Sequence, residues 1–166
     1  MEKKYRLLEN DTITINGRTL YRIEALRDFA DVRKGDKGGY VERKANLSQR
    51  EDCWVSGKAE VSGKAVVSGK AWVSGNARVS GKAWVSGNAE VSGNADYYVG
   101  KNIWSSGRYF TYTRSNKMWK VGCFYGTGEE LIKKAYQDSE VSGREYKRVV
   151  EYVEAMYADL EKDKSN

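Results

Sequence analysis

From Val55 to Asp96 the chain reads VSGKAE VSGKAV VSGKAW VSGNAR VSGKAW VSGNAE VSGNAD, seven copies of a six-residue unit in 42 residues. A short fixed period of this kind marks a repeat architecture. Val and Ala lie four apart within a copy and two apart across the junction with the next, so both point to one face of an extended segment. The Gly-Lys or Gly-Asn pair between them supplies a corner, because Gly, and to a lesser degree Asn, adopts positive φ at low cost. Each hexad is then one side of a coil whose interior is valine and alanine. A disordered Gly/Ser linker has no aliphatic residue at every sixth position, which sets this segment apart from one.

The hexads resemble the left-handed parallel β-helix of hexapeptide-repeat proteins, whose triangular coils take about three hexads each. The resemblance implies a short left-handed β-helix over 35–104; with the flanking patterns the chain reads as mainly β, with an N-terminal β-hairpin cap over 1–34 and a C-terminal segment, 105–166, of strands followed by two α-helices. Partial hexads extend the run, with Val41 and Leu47 before it and Tyr97 and Ile103 after it. A two-residue slip of frame between Leu47 and Val55 predicts a loop over 49–52. Three hexads per coil stack the outward residues as Trp54, Trp72 and Glu90 on one face, Glu60, Arg78 and Asp96 on a second, and Val66 and Trp84 on the third. The second face reads as a charge ladder in water. Exposed tryptophans on a regular face mark contact with something. Trp54, Trp72, Trp84 and Val66 are therefore expected at an interface, first with copies of the chain in a homo-oligomer, a trimer being favoured, then with the chain's own C-terminal segment, then with a ligand.

The flanks carry their own signals. Asn16-Gly17 between alternating residues predicts a hairpin with strands over 12–15 and 18–23, which would cap the first coil, since a parallel solenoid otherwise leaves open backbone edges. GDKGGY, 35–40, leads into that coil. Beyond the repeats, RYFTYTRSNKMWKVGCFYG predicts two strands around Ser115-Asn116-Lys117. Thr127 with Glu130, and Ser142 with Glu145, have capping-box spacing for two helix starts. The second helix carries a stripe of Tyr146, Val149, Val150, Val153, Tyr157 and Leu160.

No apolar run approaches the roughly 18 residues that span a bilayer, and MEKKYRLLEN lacks the apolar stretch of a secretory signal, so the expectation is a soluble protein of the bacterial cytoplasm with no membrane partner. Two cysteines, Cys53 and Cys123, make no disulfide framework. Cys123, flanked by Val121 and Phe124, reads as a buried core thiol rather than a reactive one, although the helix start that follows it could lower a thiol pKa. A net charge of +6 suits an anionic partner; Lys58, Lys64, Lys70 and Lys82, however, share one repeat position, where a solvated edge is the ordinary explanation.

The 166 residues contain no histidine, which removes Ser-His-Asp and Cys-His constellations and weakens any metal site. No Gly-rich loop joins a strand to a helix as a phosphate cradle would, and no cofactor is implied. NGRTLYRI, GDKGGYVE, SGRYFTYT and WKVGCFYGTGEEL, together with the hexads, resemble a group of phage and prophage proteins described as hexapeptide-transferase-like. Hexapeptide acyltransferases depend on a histidine base, which this chain lacks, so the resemblance implies fold and phage setting more than catalysis. Ser106, Gly107 and Arg108 look like a small anion-gripping turn, with Thr111 and Thr113 on one side of the following strand. Arg108 solvated at an ordinary strand entry explains them equally. Tyr109, Tyr112, Arg114, Lys117 and Trp119 interleave aromatic and basic groups in a way that suits stacking on a base beside a phosphate, or simply covers the last coil. The expected ligand site is Ser106, Arg108, Thr111, Thr113, Arg114, Lys117 and Trp119. The reading is a non-catalytic phage binding protein that counters bacterial immunity by sequestering a nucleotide-like signal, or by occluding a host protein or nucleic-acid complex. An atypical hexapeptide acyltransferase and a polymer-forming solenoid are the alternatives.

Overall fold

A computed structural model describes residues 3–165, mainly β with two C-terminal helices. The repeats behave as their period dictates. Each contributes one two-residue strand: β4 (Trp54–Val55), β5 (Glu60–Val61), β6 (Val66–Val67), β7 (Trp72–Val73), β8 (Arg78–Val79), β9 (Trp84–Val85) and β10 (Glu90–Val91), after β1 (Tyr5–Ile15), β2 (Arg18–Ala25) and β3 (Lys37–Val41). All pairings among β4–β10 are parallel and eighteen residues apart: Trp54 with Trp72 and Trp72 with Glu90, Glu60 with Arg78, Val66 with Trp84. Three hexads therefore make one circuit, and the repeat valines, with the alanines from Ala59 to Ala89, fill a continuous core. The corner glycines Gly57, Gly63, Gly69, Gly75, Gly81 and Gly87 sit at φ between 61° and 66°, a conformation in which any side chain is strained.

The N-terminal segment closes the lower end. β1 and β2 form an antiparallel hairpin through Asn16 and Gly17, both at positive φ, and β2 pairs antiparallel with β3. β3 then enters the stack, pairing in parallel with β5. Its two glycines permit the approach: a Cβ on Gly38 would strike the Val55 carbonyl oxygen, and one on Gly39 that of Ala59. The isolated bridge Leu47–Val67 supplies the remaining side, and the chain turns at 49–52 as the slip of frame predicts.

At the upper end the last coil has backbone N–H groups with no coil above to receive them. Side chains take that place. Arg78 N–H donates to Asn94 Oδ1 (2.9 Å), Trp84 N–H to Thr111 Oγ1 (2.9 Å), Glu90 N–H to Ser115 Oγ (2.7 Å) and Ser92 N–H to Asp96 Oδ2 (2.9 Å). Asp96 also accepts from Gly93 N–H, turning the chain out of the stack. Asp96 thus leaves the charge ladder, and the hexad spacing of Tyr97 and Ile103 does not continue the coils: Ile103 is 84% exposed.

Residues 97–126 form an antiparallel sheet in the order β11 (Tyr97–Lys101), β12 (Tyr109–Thr113), β13 (Met118–Val121), β14 (Phe124–Gly126). One face, with Phe110, Tyr112, Trp119 and Val121, packs on α1 (Gly128–Asp138) and α2 (Glu140–Ser165) through Leu131, Ala135, Tyr146, Val150, Val153 and Tyr157. Thr127 caps α1 reciprocally with Glu130. The second cap differs from expectation: α2 begins at Glu140, and Ser142 N–H donates to Ser139 Oγ (3.0 Å). Ser139 is already extended, at φ −171°, so the cap falls one turn earlier than the Ser142–Glu145 spacing indicates. Among the described residues no helix is long and apolar enough to cross a membrane.

Candidate functional site

The loop 102–108, between β11 and β12, is organised by Asn102. Its amide Oδ1 accepts from Gly107 N–H (2.6 Å) and Arg108 N–H (3.0 Å), while Nδ2 donates to Tyr146 Oη (2.8 Å). A buried Asn tied on both sides fixes where the following Arg emerges. Arg108 lies on the rim of a cavity of about 690 Å³ between this loop, the β13–β14 turn, α1 and the start of α2. Asn102, Ser105, Ser106, Phe124, Tyr125 and Lys134 also line it.

The electrostatics of the cavity favour an anion. Lys134 is offset by Asp138 at 3.8 Å, whereas Arg108 forms no ion pair with any described carboxylate. Burial pushes the Tyr146 phenol up, partly opposed by its bond from Asn102 and by the charge of Arg108, so Tyr146 is a neutral hydroxyl at physiological pH. Beside it the Trp104 ring stands edge-on at 4.9 Å, and the Trp104 indole N–H is buried without a partner among the described residues. Cys123 also lines the cavity and is exposed. This corrects the buried core thiol: Gly122 and Cys123 form the tight β13–β14 turn, whose tip points outward, and the buried thiol is Cys53.

The structure divides the residues grouped by sequence. Ser106 and Arg108 line the cavity. Thr111 and Thr113 are buried on the opposite face of β12, where Thr111 caps the last coil and Thr113 donates to Asn116 Oδ1 (2.5 Å). Trp119 is fully buried, its indole N–H donating to Glu154 Oε2 (3.0 Å); strand alternation turns it toward the helices. Arg114 and Lys117 border a separate cavity of about 420 Å³ with Tyr112 and Tyr157, and there Arg114 is already paired with Asp96 and Glu161. Arg114, Lys117, Thr111, Thr113 and Trp119 therefore do not share a site with Arg108. Asn102, Lys134 and Tyr146 were missing from the expected site. The only local signal for them was an Asn five residues before Gly107 in a glycine-closed loop.

The tryptophans differ among themselves. Trp54 is 2% exposed, held edge-on by Phe29 at 5.2 Å and Tyr5 at 6.3 Å; its place at an intermolecular interface is corrected by this burial under the chain's own N-terminal segment. Trp72 is half-buried, donating to Ser56 Oγ (3.2 Å), and Val66 is half-buried beside Trp84. Trp84 is 38% exposed, with the Lys120 ammonium 4.4 Å from its ring.

Among the described residues, no three His, Cys, Asp or Glu side chains gather as metal ligands would. No family model matches the sequence, and no curated protein matches it significantly.

Proposed function

We propose that the protein is a non-catalytic binding protein that holds an anionic, nucleotide-like molecule in the cavity at Arg108. The carrying observation is the unpaired guanidinium of Arg108 on a cavity of about 690 Å³, within the size range of small-molecule sites. Ser105 and Ser106 hydroxyls stand beside it for a phosphate, with Phe124 as an aromatic wall for a base. The cavity is poorly equipped for acid–base chemistry: Tyr146 is held protonated and Asp138 is paired with Lys134.

The setting belongs to the same proposal: a left-handed β-helix of the phage hexapeptide-repeat group, acting in the host bacterial cytoplasm to withhold a signal from an immune system. The eighteen-residue register supports the coil geometry, and the sequence motifs support the group. Self-association, as the expected trimer, would rest on the half-buried Trp72, since Trp54 is covered within the chain.

Native mass spectrometry with a panel of mono-, di- and cyclic nucleotides tests the reading. The expected result is a defined mass gain in the wild type that Arg108→Ala removes without lowering its Tm. A wild type that stays bare across the panel, or an Arg108→Ala variant that keeps its cargo, overturns it.

A further inference from the structure

On the side of the molecule where β12 and β13 meet β9, a second set of basic and aromatic groups comes together from distant parts of the chain. Tyr109, at the start of β12, has the Lys82 ammonium 5.0 Å and the Lys101 ammonium 5.9 Å from its ring centroid. Trp84, on β9, has Lys120 at 4.4 Å. Both rings are 38% exposed. Lys64 stands one coil below Lys82, its N–H donating to the Gly81 carbonyl (2.9 Å). None of these four lysines forms an ion pair with a described carboxylate. The arrangement is held firmly: Thr111 fastens β12 to the Trp84 backbone, and the Tyr125 hydroxyl of β14 fills the space a side chain on Gly87 would need.

We propose that this seam is a docking surface for single-stranded nucleic acid, with bases stacking on Tyr109 and Trp84 and phosphates taken by Lys82, Lys101, Lys120 and Lys64. Lysines resting on ring faces have no carboxylate to release, so each can exchange its ring for a phosphate as a base takes the ring. Paired rings among unneutralised cations select a ligand with both π-faces and regularly spaced negative charge. A duplex has its base faces stacked away, and an acidic peptide would use the lysines alone. The surface is separate from the Arg108 cavity, which lies on the helix-covered side of the sheet.

The test is fluorescence anisotropy of a labelled twelve-residue oligothymidylate with the full chain, titrated at several salt concentrations. Binding should saturate, with log K falling against log salt at a slope of about −3, as four phosphate contacts on a single strand require. Tyr109→Ala should weaken binding about tenfold, the scale of losing one stacked base. A Lys82→Ser, Lys101→Ser, Lys120→Ser variant should flatten the salt slope while keeping the wild-type Tm. Arg108→Ala should leave oligothymidylate binding in place, which separates this surface from the cavity. No saturable binding at low salt overturns the proposal. So does equal affinity for the matching duplex, or displacement by polyglutamate of equal charge together with an unaffected Tyr109→Ala.

Discussion

Lys4 carries its charge into a fully buried position and finds there a set of oxygens that no local pattern announces. Its ammonium donates to the Cys53 carbonyl (2.6 Å), approaches those of Glu51 (3.3 Å) and Arg50 (3.4 Å), and lies 3.3 Å from the Cys53 thiol. Burial lowers its pKa, opposed in part by Cys53. The bonds tie the start of β1 to the 50–53 loop, which the slip of frame located but whose partner lies 49 residues away. Lys4→Met keeps the stem and leaves those carbonyls short of a donor, so urea unfolding should show a loss of about 1–3 kcal/mol; an unchanged midpoint would mean that water replaces the ammonium. The candidate site was legible in the same partial way. Ser106 and Arg108 could be read because a Ser-Gly-Arg turn is a local signal. Thr111 and Trp119 could not, because alternation along β12 and β13 says which residues share a face but not which face the helices cover.

The coils were readable as elements because seven copies state the same geometry seven times, whereas what ends them is written once and non-locally. Asn94, Thr111 and Ser115 come from three separate segments, yet each accepts the first N–H of one side of the last coil. An open parallel edge is a template for another chain, and these three acceptors occupy the first N–H on each of its three sides. Each such bond contributes about 1 kcal/mol. Replacing the three together, Asn94→Ala, Thr111→Val and Ser115→Ala, should lower stability by about 3 kcal/mol. Concentration-dependent growth of particle mass in light scattering should follow as the edge opens. A variant that is destabilised but stays at constant mass would show that the overlying sheet alone blocks the edge, and would weaken the link between capping and solubility.

At the scale of the whole molecule, the described residues form two cores, one running through the N-terminal segment and the stack, the other between the β11–β14 sheet and the helices. Buried tyrosines are distributed unevenly between them. Tyr5 belongs to the first, while Tyr112, Tyr146 and Tyr157 belong to the second. Burial raises the pKa of all four, that of Tyr112 to about 12, with Glu154 and Tyr157 adding to the shift and Arg114 opposing it. A phenol whose folded pKa lies above its unfolded value favours the native state fully below about pH 10, and that contribution is lost as pH rises through the folded value. Lys4, with its lowered pKa, works in the opposite direction by losing its buried charge as pH rises, but it is one group in the first core. Tm should therefore fall between about pH 10 and 12, and Tyr112→Phe, which keeps the ring and loses the titrating hydroxyl, should fall less. Because three of the four phenols sit in the second core, hydrogen exchange at about pH 10, where the ordinary phenol begins to ionise, should release the amides of β12 and β13 before those of the repeat valines. Simultaneous release would show instead that the three side-chain caps bind sheet and stack into one cooperative unit, so that ionisation in one core unfolds both.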